Sequence, residues 1–292
     1  MSWLIKTFSS SIGQKILMAL TGLFLCTFIV VHLIGNLQLF LDDQGFKFNA
    51  YTKFMTSNPL IKIASYMTYL GILFHALKGL TLVFKNRSAR GKGYKKYAGT
   101  QTSTWSSRSM GLLGTIILAF IVVHMAQFWY QYKFGESAKN MTYFVYKTEG
   151  GKEKVVTQSF LETMSTELNE AAQKYQATND VEGFENDPVS KKYEDIRKDL
   201  DYAQKNGGID QESYKDLYSV VDKAFHEPWI VLLYVVSMIA IGFHLFHGFI
   251  SAFQTMGWRH PKYDGLLNGL TWIFGVIIPA GFALIPLYMY FS

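Results

Sequence analysis

The stretch Phe28-Ile29-Val30-Val31-His32 returns as Phe120-Ile121-Val122-Val123-His124, at an offset of 92 residues. Met18 and Gly22 match Met110 and Gly114 at the same offset. Two other segments share a pattern, Phe74-His75-Ala76-Leu77-Lys78-Gly79 and Phe243-His244-Leu245-Phe246-His247-Gly248. Four apolar segments thus each carry one histidine at a corresponding depth. An imidazole inside an apolar bundle is costly to desolvate and marks a functional site by default. Four of them in two matched pairs point to bis-histidine ligation of haem inside a membrane bundle.

The rest of the chain agrees with a membrane location. Of 292 residues, 49% are hydrophobic and 16% aromatic. Mean hydropathy is only +0.10, because one long polar segment dilutes it. Apolar runs cover roughly 16–41, 60–84, 110–132, 228–253 and 266–291. A span needs about 20 residues, and each run approaches or exceeds that. Buried helices of a soluble core would carry more charges. The expectation is an all-α integral membrane protein. It has five transmembrane helices, a dihaem four-helix core and a polar, helical, external insert between helices three and four. The units are 1–134 (membrane helices one to three), 135–227 (the insert) and 228–292 (helices four and five). Trp3, Leu4, Ile5 and Phe8 beside Lys6 make an interfacial N-terminal segment. No small-residue cleavage site follows the first apolar run, so it reads as a span rather than a cleaved signal. Cys26 is the only cysteine. That excludes intrachain disulfides, cysteine-ligated iron–sulfur clusters and thioether-attached haem, so any haem is b-type.

Short-loop charge sets the orientation. Lys85, Arg87, Arg90, Lys92, Lys95, Lys96 and Arg108 fall between spans two and three with no acid among them. Arg259, His260 and Lys262 face a single Asp264 between spans four and five, and Lys6 and Lys15 precede span one. These segments are expected on the cytoplasmic side, which puts the C-terminus outside. The insert holds 19 acidic and 12 basic residues, a net of −7, which leaves +13 on the rest of a chain that totals +6. It reads as helical pieces near 155–177, 189–206 and 211–225, broken by Gly183, Pro188 and Gly207-Gly208. It is either a solvated spacer or a binding surface. No nucleic-acid partner is expected.

Helical rise sorts the histidines by depth. At about 1.5 Å per residue, His32 and His124 lie roughly 24 Å and 21 Å from the inner ends of their spans, and His75 and His244 each lie roughly 14 Å from theirs. Axial ligation needs two imidazoles facing one another at one height. His32 and His124 therefore make an outer pair and His75 and His244 an inner one. Two haems stacked in this way form an electron path between the membrane faces. Gly35, Gly71, Gly79 and Gly248 stand three or four residues from a histidine, on its helix face. They read either as clearance for a macrocycle or as sites of close helix packing. Lys78 and His247, three residues past their histidines, read as propionate partners or as snorkelling groups. His247 is also a rival of His244 for the ligand role. Arg108 and Lys15 at the inner ends suit propionates, a docked partner or simple orientation. His226 and His260 read as solvated.

The residues Ser11-Ile12-Gly13-Gln14-Lys15, Met18-Ala19-Leu20-Thr21-Gly22 and His32-Leu33-Ile34-Gly35-Asn36 resemble the cytochrome b subunit of succinate dehydrogenase and fumarate reductase. The likeness is to the single-polypeptide, five-helix, dihaem type. Ser107-Arg108-Ser109-Met110 and Phe243-His244-x-x-x-Gly248 carry the same resemblance, which extends over all five spans. It implies that His32 and His124 bind the haem distal from the cytoplasm and His75 and His244 the proximal one. It implies flavoprotein and iron–sulfur partner subunits, the former carrying the dicarboxylate chemistry that this chain lacks. It also implies a quinone substrate, often menaquinone, a lipid bilayer, and a bacterial cytoplasmic membrane. Some fumarate-reducing members carry a glutamate two residues before the fourth ligand, where this chain has Gly242. That leans toward succinate oxidation. Near the outer pair, Asn36, Gln38, Asp42 and Asp43 are candidate quinone contacts, though helix-end chemistry explains them equally. Two rival functions remain open at this point. One is the cytochrome b of another quinone-linked enzyme, a formate dehydrogenase or hydrogenase. The other is a haem-free proton or metal transporter. The repeated spans run in the same direction, unlike the inverted repeats common in transporters.

Overall fold

Among the described residues, five helices are long and apolar enough to cross a membrane: Ser11–Phe40, Pro59–Ser88, Ser107–Lys133, Pro228–Thr255 and Pro261–Phe291. The computed structural model describes residues 10–90 and 105–292. The N-terminal aromatic segment and Lys92, Lys95 and Lys96 lie outside the described residues.

Local chemistry starts these helices where the apolar runs begin. Helix α1 (Ser11–Asn36) is capped by Ser10, whose Oγ accepts from Gly13 N at 3.0 Å. A short amphipathic helix α2 (Phe46–Ser57) follows. Helix α3 (Pro59–Arg90) opens on Pro59, with Asn58 Oδ1 accepting from Leu60 N at 3.0 Å. Helix α4 (Trp105–His124) runs on through a wider π-type turn, Met125–Tyr130, immediately after His124. Large apolar side chains such as Leu60, Leu112, Leu232 and Leu284 are exposed on the outer faces, as lipid-facing residues would be.

The insert departs from the expected all-helical cap. Strands β1 (Asn140–Lys147), β2 (Glu153–Thr157) and β3 (Ile209–Lys215) form an antiparallel sheet in the order β2-β1-β3. Helices α5 (Gln158–Thr178) and α6 (Pro188–Asn206) accompany the sheet, with Tyr146, Val156 and Ala203 at the centre of the small core. The sequence reading of 211–225 as one helix is corrected here. That stretch is strand to Lys215 and only then helix α7 (Tyr218–Phe225). The polar run Ile-Asp-Gln-Glu-Ser-Tyr-Lys has no strand pattern of its own. Pairing with the aromatic, strand-forming β1 decides its conformation.

Helix α7 belongs to the membrane bundle rather than to the cap. Its Val221 and Phe225 share one core with Phe48 of α2, Phe120 and Phe128, and with Tyr234 and Met238 of α8 (Pro228–Thr255). The fourth span is 39% buried over its most apolar window, against 6% for the second, so α8 forms the centre of the bundle. The fifth span comprises α9 (Asp264–Trp272), a π-type turn over Ile273–Ile277 and α10 (Ile278–Phe291). The wider turn accommodates Pro279, which lacks the N–H a regular turn would use.

A buried polar knot fastens the insert to α2. Asn49 is 1% exposed. Its Nδ2 donates to Tyr143 Oη at 2.7 Å and Asp216 Oδ1 at 2.8 Å, and its Oδ1 accepts from Leu217 N and Tyr218 N at 2.9 and 3.0 Å. Gly45 sits under the Tyr218 ring with φ of +78°; a Cβ there would stand 2.2 Å from Tyr218 Cγ. Asn49→Ala leaves a buried phenol and a buried carboxylate short of a donor, at about 1–3 kcal/mol each. The expected outcome is a loss of about 3 kcal/mol of stability, read as a lower thermal midpoint in detergent, together with faster proteolytic cleavage within 135–227.

Candidate functional site

One cavity of about 1670 Å³ runs through the bundle and is lined by all four span histidines. Pockets for a single small ligand occupy about 300–1,000 Å³, so this one has room for two. Met18, Gly22, Gly79, Met110, Gly114 and Gly248 line one end, and Leu217, Val221 and Phe225 the other. The insert therefore helps to wall the outer end.

The histidines meet in the two pairs that share a depth in the sequence. The rings of His32 and His124 lie 5.8 Å apart at 84°, and those of His75 and His244 lie 6.2 Å apart at 71°. A metal–imidazole bond is about 2 Å, so ring centroids about 6 Å apart would leave room for one metal ion held by both rings. Both separations match that span. Phe28 stacks on His32 at 5.3 Å and 14°, and Phe120 and Phe128 flank His124 at 5.7 and 5.4 Å. His244, not His247, is the ring that faces His75. His247 points its Nε2 to Ser251 Oγ at 3.3 Å while also lining the cavity.

Glycine supplies the clearance at the inner pair. A Cβ on Gly22 would sit 3.3 Å from His75 Cε1, and one on Gly114 would sit 3.8 Å from His244 Cε1. A Cβ on Gly79 would meet Met18 Cε, and one on Gly248 would meet Met110 Cε, each at 3.9 Å. The contacts between spans one and two are thus repeated between spans three and four. His244 Nδ1 is buried and has no hydrogen-bond partner among the described residues. The donor set, the cradle and the spacing fit bis-imidazole ligation of two haem groups.

The remaining sequence candidates divide. Lys15, Arg108 and His247 line the cavity, joined by Arg87. Lys78 does not, which removes it from the wall where a propionate would lie. Asn36 lines the cavity and donates to His32 O at 2.7 Å. Gln38, Asp42 and Asp43 stand outside it. Helix α1 ends at Asn36, and the following turn carries them away to the start of α2, where Asp43 Oδ2 accepts from Lys47 N at 3.2 Å. Sequence reading missed Thr21 and Tyr234, whose hydroxyls reach His75 and His124. Their positions within apolar helices mark them only as ordinary bundle residues.

No protein-family model matches the chain, and comparison with curated proteins and with solved structures finds no match.

Asp43 has one oxygen, Oδ1, buried without a hydrogen-bond partner among the described residues. Burial raises its carboxyl above the ordinary 3.8, against the opposing pull of Lys47 and nearby backbone N–H groups. The folded state therefore holds this proton more tightly than the unfolded one. The favourable contribution is full below 3.8 and is lost as pH rises through the raised value. Asp43→Asn is expected to raise the thermal midpoint at neutral pH. The gain over the unaltered chain should shrink as pH falls toward 3.8. Parallel melting curves across that range measure it.

Proposed function

We propose that the chain is the membrane anchor and dihaem cytochrome b subunit of a succinate dehydrogenase, passing electrons from an iron–sulfur subunit to a quinone, with menaquinone as the favoured species. The observation that carries this reading is the facing imidazole pair repeated at two levels of one cavity, at 5.8 and 6.2 Å. Bound b haem supplies one-electron chemistry at its iron. The chain's own residues hold and insulate it. His32 and His124 bind at the outer level, and His75 and His244 at the inner. Phe28, Phe120 and Phe128 keep water from the outer pair. Lys15, Arg87 and Arg108 offer cations to acidic propionates or to a docked iron–sulfur subunit. The dicarboxylate site belongs to the flavoprotein partner.

Two further features support this direction of the reaction and this location. The space beside Gly242 is filled by the fifth span, because a Cβ there would lie 2.8 Å from Gly275 O. Gly242 itself carries no group that could pass a proton at that position. That favours succinate oxidation without coupled proton movement. The basic short loops favour an orientation with the N-terminus inside and the insert outside, and the sequence resemblance implies a bacterial cytoplasmic membrane. Of the residues considered for quinone contact, Asn36 alone lines the cavity, beside His32.

The purified, dithionite-reduced chain is expected to have a b-type α-band and two haems by pyridine haemochrome. His75→Ala or His244→Ala should each remove one haem signal and His32→Ala or His124→Ala the other. A haem-free wild-type preparation would sink the reading. Co-purification with a flavoprotein and an iron–sulfur protein that oxidise succinate selects this enzyme over a formate dehydrogenase or hydrogenase.

A further inference from the structure

The two histidine pairs are alike in spacing but not in how each ring is held from behind. Thr21 Oγ1 lies 3.1 Å from His75 Nδ1. Its own proton is engaged by Leu17 O at 2.8 Å, so the oxygen is left to accept and His75 Nδ1–H donates to it. The outer pair repeats the device with different residues. Tyr234 Oη lies 3.2 Å from His124 Nδ1 and donates its proton to Gln127 Oε1 at 2.8 Å. A carbonyl oxygen can only accept, so Tyr234 Oη in turn accepts from His124 Nδ1–H. In both cases Nδ1 carries the proton and Nε2 keeps its lone pair, the form that binds a metal.

Their partners lack this support. His244 Nδ1 is buried without a hydrogen-bond partner among the described residues. The internal repeat gives the reason. Thr21 corresponds to Leu113 at the offset of 92, and Leu113 is buried with no acceptor to offer. His32 Nδ1 faces Asn36 Nδ2 at 3.4 Å, an amide nitrogen that also donates to His32 O and, having donors only, offers Nδ1–H no acceptor.

We propose that Thr21 and Tyr234 are positioning residues, each locking the tautomer of one histidine per pair. His75 and His124 are thereby the firmly held, more basic ligands, and His244 and His32 the weakly held ones. An accepted Nδ1–H raises imidazole basicity, which favours the oxidised metal and lowers the potential of its couple. This inference rests on the dihaem reading, and the test separates the two.

The test is an optical redox titration of the purified full chain. The inner couple is identified as the one lost in His75→Ala. Thr21→Val is expected to raise the inner couple alone, by about the 59 mV that a tenfold change in oxidised-over-reduced preference gives a one-electron couple. Thr21→Ser, which keeps the hydroxyl, should leave it in place. Leu113→Thr, which brings an acceptor to His244, should lower the same couple. Tyr234→Phe should raise only the outer couple. If Thr21→Val yields no folded protein, Leu113→Thr decides alone. Two bound haems with the inner couple unmoved in Leu113→Thr, or both couples moved together by Thr21→Val, overturn the inference while leaving the dihaem reading intact. A wild-type chain without haem removes both.

Discussion

A neutral imidazole sealed among apolar helices must find partners for its polar atoms, and the rest of the bundle is arranged around that demand. Leaving one such atom unpaired costs about 1–3 kcal/mol. The chain brings four partly buried imidazoles together in facing pairs within a single cavity. Glycines let the helices approach around the inner pair, most tightly at Gly22. Gly22 and Gly114 remove the Cβ that would meet His75 and His244. Thr21 and Tyr234 are placed to accept from two of the rings, while His244 Nδ1 has no acceptor among the described residues. A buried donor left unsatisfied on a residue that faces its pair is hard to explain by stability alone.

The outer end carries a second constraint. A bundle with a large internal cavity is open to water unless something closes it. The insert does this through α7, whose Val221 and Phe225 pack with Phe48, Phe128 and Tyr234. Docking this helix requires the preceding turn to be buried, and its backbone N–H groups must be satisfied there. Asn49 satisfies two of them and at the same time gathers Tyr143 and Asp216. Burial pushes the Tyr143 hydroxyl up, so the phenol stays neutral inside the knot. The acidic surface of the insert is left to solvent.

What was legible in the sequence follows from how local each signal is. The spans stand out because lipid tolerates only long uninterrupted apolar helices, and observed and expected ends agree within about five residues for all five spans. The histidine pairs are legible because a repeat preserves depth. The sheet in the insert was not, since Ile209–Lys215 is polar and takes its strand form from β1 across more than sixty residues of chain. The polar groups after Asn36 misled for a similar reason. Proximity in sequence to His32 suggested proximity in space, but the turn at Leu37–Phe40 redirects the chain. Lys78 sits three residues from His75, about 60° round the helix, and falls off the cavity wall that Ala76 and Gly79 line. The hydroxyls of Thr21 and Tyr234 come from neighbouring helices, and no single-segment pattern announces such a contact.

The internal repeat is most informative where it fails. Spans one and two pack against each other as spans three and four do, with Met18 over Gly79 and Met110 over Gly248. A two-fold scaffold of this kind would give each pair two equivalent ligands if every position were matched. Thr21 against Leu113 breaks the match on the helix face that touches the inner pair. On the outer pair the acceptor comes from span four, at Tyr234, and among the described residues no acceptor backs His32. The packing residues keep the repeat and the residues behind the imidazoles do not. Packing alone gives no reason for that division, because a valine or leucine would fill the space at position 21. A difference within each pair in how firmly the two rings are held gives one.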